Sequence, residues 1–237
     1  MAPDDEAHEL LAATHDLAEL EALVLRREQG EPLAWLTGGV RFCGHWIEVD
    51  REVYVPRWQS EEMARAAGQR LAARGRGAVA LDLCTGAGAL ASHLKRSSPS
   101  SLVLGVDIDL VAAQCAARNG VAVLVGDLGD ALSSGWADVI TAVAPYVPTK
   151  ELRFLPSDVQ RFEPRVALDG GGDGLAIVRR VIESAARLLK LGGELFVELG
   201  GDQAASASRA LIHTGFEEID LHVDEDGDLR WLRATKR

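Results

Sequence analysis

The stretch "GAVALDLCTGAGALASHLKR", residues 77–96, decides the fold. It opens with an apolar run of strand character and closes with a helical pattern, and between them stand two glycines one residue apart. Gly86-Ala87-Gly88-Ala89-Leu90-Ala91 fits G-x-G-x-x-A, the turn that brings a backbone close to a nucleotide-type cofactor. Alone the motif is weak. Its context is stronger: a strand before it, a helix after it, and an acid, Asp107, 19 residues beyond Gly88 near the end of the next apolar run.

Downstream, strands and helices alternate. "LVLGVDI", "VAVLVG", "ADVITAV" and "ELFVEL" read as strands, and 89–96, 110–119, 174–189 and 202–213 read as helices, with "KLGG" as a link into "ELFVEL". The end of the chain, "EEIDLHVDEDGDLRWLRAT", reads as two strands around a turn at Asp226-Gly227, which makes the last strand antiparallel. The predicted class is α/β: a Rossmann-like, mostly parallel sheet with helices on both faces.

Upstream, residues 4–29 carry leucines at helical spacing and end at Gly30 and Pro32, giving one or two helices. "VRFCGHWIEVDREVYV", 40–55, reads as two short strands around a turn, closed by Pro56. Residues 59–74 read as a helix with Ser60 as N-cap. We therefore expect an appendage of helical segment and β-hairpin over 1–58 and the main domain over 59–237.

Composition bounds the function. The formal net charge of −11 argues against broad polyanion binding, so no direct nucleic-acid partner is expected. No apolar run of 18 residues and no signal-like start is present, so neither a membrane nor an export route is expected, and a cytoplasmic location is. Cys43, Cys84 and Cys115 and the six histidines show no metal-binding spacing, so no metal site is expected. "DGGGDG", 169–174, has a calcium-loop composition without its spaced ligands, and "DEDGD", 224–228, reads as a solvated turn.

Two cofactor classes use the glycine-loop layout. A dinucleotide sets an anionic pyrophosphate against the loop and helix N-terminus. S-adenosylmethionine has no phosphate and carries an ammonium and a sulfonium. Asp82, four residues before Gly86, would repel the first and attract the second. Asp107 suits the ribose hydroxyls, and Asp127, in "GDL" after the third strand of the main domain, suits the adenine amino group. The expected cofactor is S-adenosylmethionine, with Asp82, Cys84, Thr85, Gly86, Gly88, Asp107, Ile108, Asp127 and Leu128 around it.

"DLCTGAG", "GVDID", "GDL" and "KLGG" resemble the ordered motifs of class I methyltransferases. "RREQGEPLAWLTG" (26–38), "VPR" (55–57), "APYVP" (144–148) and "RFEPRVALDGGGDGL" (161–175) narrow the resemblance to the release factor glutamine methyltransferases of the PrmC/HemK type. It covers residue 26 to about 234, and 161–175 is its most specific part. The resemblance implies a seven-stranded sheet, S-adenosylmethionine, and methyl transfer to a glutamine side-chain nitrogen. It also implies an Asn-Pro-Pro-Tyr acceptor motif, in which the Asn oxygen and a neighbouring carbonyl hold the substrate NH2.

Here that motif reads Val143-Ala144-Pro145-Tyr146. Val143 cannot accept a hydrogen bond, whereas Ala144 still offers its carbonyl. Drift at a core position is the bland alternative for Val143, and hydroxyl-anchored packing for Tyr146. "VPRWQSE" stands where the family reads closer to "IPRPETE", so Arg57 and Trp58 become substrate-side candidates, with core or lid packing as the other reading of Trp58. The N-terminal part is short beside the family's helical bundle, which weakens the case for a large protein partner. Three readings follow: a methyltransferase with a diverged acceptor, a small molecule or another nitrogen or oxygen nucleophile; a genuine release factor glutamine methyltransferase; or a cofactor-binding protein without transfer. A monomer or weak homodimer is expected.

Overall fold

The computed structural model describes residues 3–237, with side chains from Glu6 onward. Helices α1 (Pro3–Ala13) and α2 (Leu17–Glu28) fill the helical stretch expected over 4–29, as two helices rather than one. Asp16 divides them: its carboxylate caps α2 by accepting the Ala18 and Glu19 N–H groups. A short α3 (Leu33–Thr37) precedes a two-stranded hairpin, β1 (Gly39–Phe42) and β2 (His45–Glu48). The second strand is shorter than the sequence suggests. Residues 49–55 leave the ladder, and Val49, Val53 and Val55 are buried instead in one core with Trp35, Ile47 and α4 (Glu61–Ala73). No gap in that core separates the hairpin from the main sheet.

The main sheet uses β3 (Val79–Leu83), β4 (Leu102–Asp107), β5 (Ala122–Val125), β6 (Ala137–Ala142), β7 (Leu189–Glu198), β8 (Phe216–Val223) and β9 (Leu229–Lys236). Its order is β5-β4-β3-β6-β7-β9-β8. Pairing is parallel from β5 to β7, and β9 runs antiparallel to both neighbours. Strand order reverses between β3 and β6, so the carboxyl ends of these two strands open a crevice.

Near-continuous apolar strands need cover on both faces. α4, α5 (Ala89–Ser97) and α6 (Leu110–Arg118) cover one face. α8 (Ala176–Leu188) and α9 (Ala204–His213) cover the other, α8 through Val178, Val181, Ile182, Ala185 and Leu188 at helical spacing.

One further feature departs from expectation, and one lies where the sequence reading assigned no element. "KLGG" is not a link but part of β7, with Ala137 paired to Leu189 and Val139 already paired to Glu194, so the intervening residues bulge. A short α7 (Ser157–Phe162) follows β6, and its Phe162 meets Trp35 edge-on at 6.3 Å, tying it to the N-terminal segment.

Candidate active site

A cavity of about 230 Å³ lies at the carboxyl ends of β3, β4 and β6. Among its walls are Asp82, Cys84, Thr85 and Gly86 from the glycine loop, Asp107 and Ile108 after β4, and Asp127 and Leu128 after β5.

The glycine loop turns as its residues require. Gly86 has φ +55 and a Cβ built there meets nothing within 4 Å, so the backbone is bare towards open space. Gly88 does not line the cavity. Its role is packing: a Cβ there would come within 3.0 Å of Ala116 and Val121, so α5 and α6 close together only around glycine. Cys84 and Leu128 hold positive φ without being glycine, as does Glu52, another lining residue. Three non-glycine residues with positive φ thus line one cavity, and such backbone strain clusters at functional sites.

Asp82 is 2% exposed and sits beneath the loop rather than at its open mouth. Oδ1 accepts from Thr141 Oγ1 and Oδ2 from Thr85 Oγ1, both at 2.6 Å. Burial pushes its pKa up to about 6, against those hydrogen bonds and with help from the neighbouring Asp107 charge. Asp107 is raised by burial as well, opposed by N–H donors. Its Oδ2 accepts from Gly86 N at 2.8 Å and its Oδ1 from Asp109 N at 2.9 Å. Asp127 is more open and pairs with Arg180 at 2.7 Å. The cavity thus carries carboxylates whose ionisation costs free energy, and a bound cation would lower that cost.

The acceptor side departs further from the expected arrangement. Val143 follows β6 directly and lines the cavity with Pro145. Ala144 is buried and off the wall. Tyr146 is not on the wall either: its hydroxyl donates to Glu198 Oε1 at 3.0 Å, turning the ring away, so it braces the loop through a carboxylate rather than a backbone group. Arg57 lines the cavity, ion-paired to the buried Glu163 and lying over the Tyr54 ring. Trp58 neither lines the cavity nor joins the core, being 74% exposed.

The glycine run 169–174 shows why it is needed. A Cβ on Gly170 would meet the Pro145 carbonyl oxygen at 2.8 Å, and one on Gly174 the Tyr146 carbonyl oxygen at 2.3 Å. The run is a bed for the acceptor loop. Asp169 shapes it by accepting from Thr149 Oγ1 and Gly171 N.

Tyr54, Ser60, Glu163 and Glu198 escape sequence reasoning. Tyr54 and Ser60 lie on the cavity wall, and Glu198 and Glu163 hold Ser60 and Arg57 from behind. Usable signals existed for two of them: Glu198 is a charge closing the otherwise apolar strand "LFVE", and Glu163 lies in the family-like stretch 161–175.

No family model matches the chain. Curated relatives do. The chain is 35% identical over 218 residues to the release factor glutamine methyltransferase of Geobacter sulfurreducens, covering 90% of this chain and 76% of that protein. It is 37% identical over 224 residues to the 4-amino-L-phenylalanine/4-methylamino-L-phenylalanine methyltransferase of Streptomyces pristinaespiralis, covering 90% and 72%. Among solved structures, the ribosomal protein L11 methylase of Lactobacillus delbrueckii superposes with TM-score 0.58 at 18% identity, covering 81% and 86%. The TYW2 protein of M. jannaschii, in complex with AdoMet, does so with TM-score 0.55 at 12% identity, covering 81% of each chain. These structural neighbours share the fold. The bare Gly86 cradle and the ring of carboxylates fit the cationic cofactor used by such enzymes. Identity of 32–35% to curated relatives across most of both chains carries the conclusion: this chain belongs to the release factor glutamine methyltransferase (PrmC/HemK-type) family of S-adenosylmethionine-dependent methyltransferases.

Proposed function

We propose that this methyltransferase acts on a small molecule bearing a nitrogen or oxygen nucleophile, rather than on a release factor glutamine. The observation that carries the reading is Val143 on the cavity wall, at the position of the family's amide-holding Asn. An NH2 placed there keeps one hydrogen without an acceptor, at a cost of about 1–3 kcal/mol, or roughly ten- to a hundredfold in rate. The similarity to a relative named for a free amino acid substrate supports a small acceptor within this family.

When bound, S-adenosylmethionine supplies an activated methyl group on a cationic sulfur. The chain's own residues then bind, orient and exclude water. Asp82 lends negative charge from beneath the loop. Asp107 keeps lone pairs beyond those used by Gly86 and Asp109 and suits the ribose hydroxyls. Asp127 suits the adenine amino group, and Ile108 and Leu128, on the same wall, would offer apolar surface to the bound cofactor. Val143 and Pro145 form an apolar wall beside the acceptor, and Arg57 offers the positive group on that side.

The test is incubation with methyl-labelled S-adenosylmethionine, a release factor in one vessel and 4-amino-L-phenylalanine or a small-molecule extract in another. Label in small molecules and little on the release factor is the expected result. Efficient labelling of the release factor glutamine overturns the reading.

A further inference from the structure

Ser60 stands at the N-terminal boundary of α4, where a serine ordinarily accepts an N–H of the first turn. Its side chain makes no such bond. Oγ donates instead to Glu198 Oε2 at 2.5 Å, across 138 residues of sequence. Tyr146 donates to the other oxygen of the same carboxylate. A serine hydroxyl has one hydrogen and two lone pairs. With the hydrogen committed to Glu198, Ser60 can only accept from anything else it meets, and it lines the cavity that Val143 lines.

We propose that Ser60 Oγ accepts a hydrogen from the methyl-accepting nitrogen or oxygen, replacing the acceptor lost at Val143, and that Glu198 receives the displaced proton through it. Ser60 is then a catalytic residue and Glu198 a positioning residue that acts through it. The inference rests on the small-molecule reading and narrows it: the acceptor atom must carry a hydrogen to donate.

The step balances. The nucleophile's lone pair forms the bond to the methyl carbon, while the methyl–sulfur bond breaks with its electron pair left on sulfur. The nucleophile's hydrogen passes to Ser60 Oγ as the serine hydrogen passes to Glu198 Oε2. Ser60 is unchanged, the product is neutral, and Glu198 holds one proton to release to solvent.

Glu198 is placed for this. It is 6% exposed at the end of β7, and burial raises its pKa, opposed by the Ser60 and Tyr146 hydroxyls and by Arg230 of β9. Tyr54, from the segment after β2, is a further titratable group close enough to interact with it.

The experiment has two arms. In the first, calorimetry with S-adenosylhomocysteine present compares 4-amino-L-phenylalanine with its N,N-dimethyl analogue, which has no ring-nitrogen hydrogen to donate. The wild type should prefer the amino form about tenfold or more. Ser60→Ala should lose the preference, Ser60→Thr should keep it, and all three should bind S-adenosylhomocysteine alike. Equal binding of the two probes by wild type, or a preference retained in Ser60→Ala, overturns the proposal. Failure of the wild type to bind either probe counts against an arylamine acceptor, one member of the proposed small-molecule class, and the second arm then decides on Ser60. There, infrared difference spectra between wild type and Glu198→Gln read the ionisation of Glu198 at pH 7. An ionised carboxylate that shifts in Ser60→Ala supports the hydroxyl's enforced donation. A protonated Glu198 frees the serine hydrogen and overturns it.

Discussion

Asp107 holds Gly86. Its Oδ2 accepts the glycine N–H at 2.8 Å while Oδ1 accepts the Asp109 N–H at 2.9 Å, so the acid ending β4 fixes the loop that ends β3. The residue expected to meet the ribose also shapes the cradle. Asp107→Asn retains one acceptor oxygen and should weaken S-adenosylmethionine binding at least tenfold, and Asp107→Ala more, as read by calorimetry. Unchanged affinity in Asp107→Ala would remove this residue from the cofactor site.

Asp82 predicts two opposite pH dependences. Its pKa is raised in the fold from the ordinary 3.8 to about 6. Its contribution to stability is therefore full below about pH 4 and lost as pH rises through about 6. A cation above it favours the ionised form, so cofactor affinity should rise over the same interval. Denaturant titrations should show a steeper fall in stability between about pH 4 and 6 in the wild type than in Asp82→Asn. Calorimetry should show a larger gain in affinity between about pH 4 and 6 in the wild type than in Asp82→Asn.

The bed beneath the acceptor loop should be intolerant of a single methyl group. At Gly174 a Cβ falls on the Tyr146 carbonyl, and φ is +76. Gly174→Ala should lower methyl transfer tenfold or more through displacement of Pro145 and Tyr146. S-adenosylmethionine affinity should stay within about twofold, because the glycine loop lies elsewhere.

Arg57 partners the carboxylate of Glu163, whose side chain is 2% exposed. Arg57→Ala leaves that charge buried without its partner, and breaking such a pair costs about 3 kcal/mol. Denaturant unfolding should show the loss. Arg57→Ala combined with Glu163→Gln should recover part of it, since the uncompensated charge is gone.

What the sequence made legible was local. Apolar runs such as "AVALDL" lie in adjacent parallel strands, and the acids Asp82, Asp107 and Asp127 converge on one cavity because each sits at or just beyond the carboxyl end of its strand. Boundaries were less legible where packing decides. Leucine spacing runs through the break that Asp16 caps, and Val53 and Val55 have strand character yet enter the core without a partner strand. The acceptor side was least legible. Ser60 and Tyr146 meet on Glu198 from places 138 and 52 residues away, so neither the diverted cap nor the inward turn of the tyrosine has a local signature. Trp58 was expected on the substrate side or in core or lid packing, whereas its side chain stands largely in solvent.

The central claim is that Val143 has redirected this site away from the glutamine amide. The direct measurement is kcat/KM for release factor glutamine methylation by wild type and Val143→Asn, with equal S-adenosylmethionine affinity verified in both. Restoring the missing acceptor should raise the value about ten- to a hundredfold, in line with one unmet donor. A wild type that already methylates the glutamine efficiently, and gains nothing from the asparagine, would contradict the account.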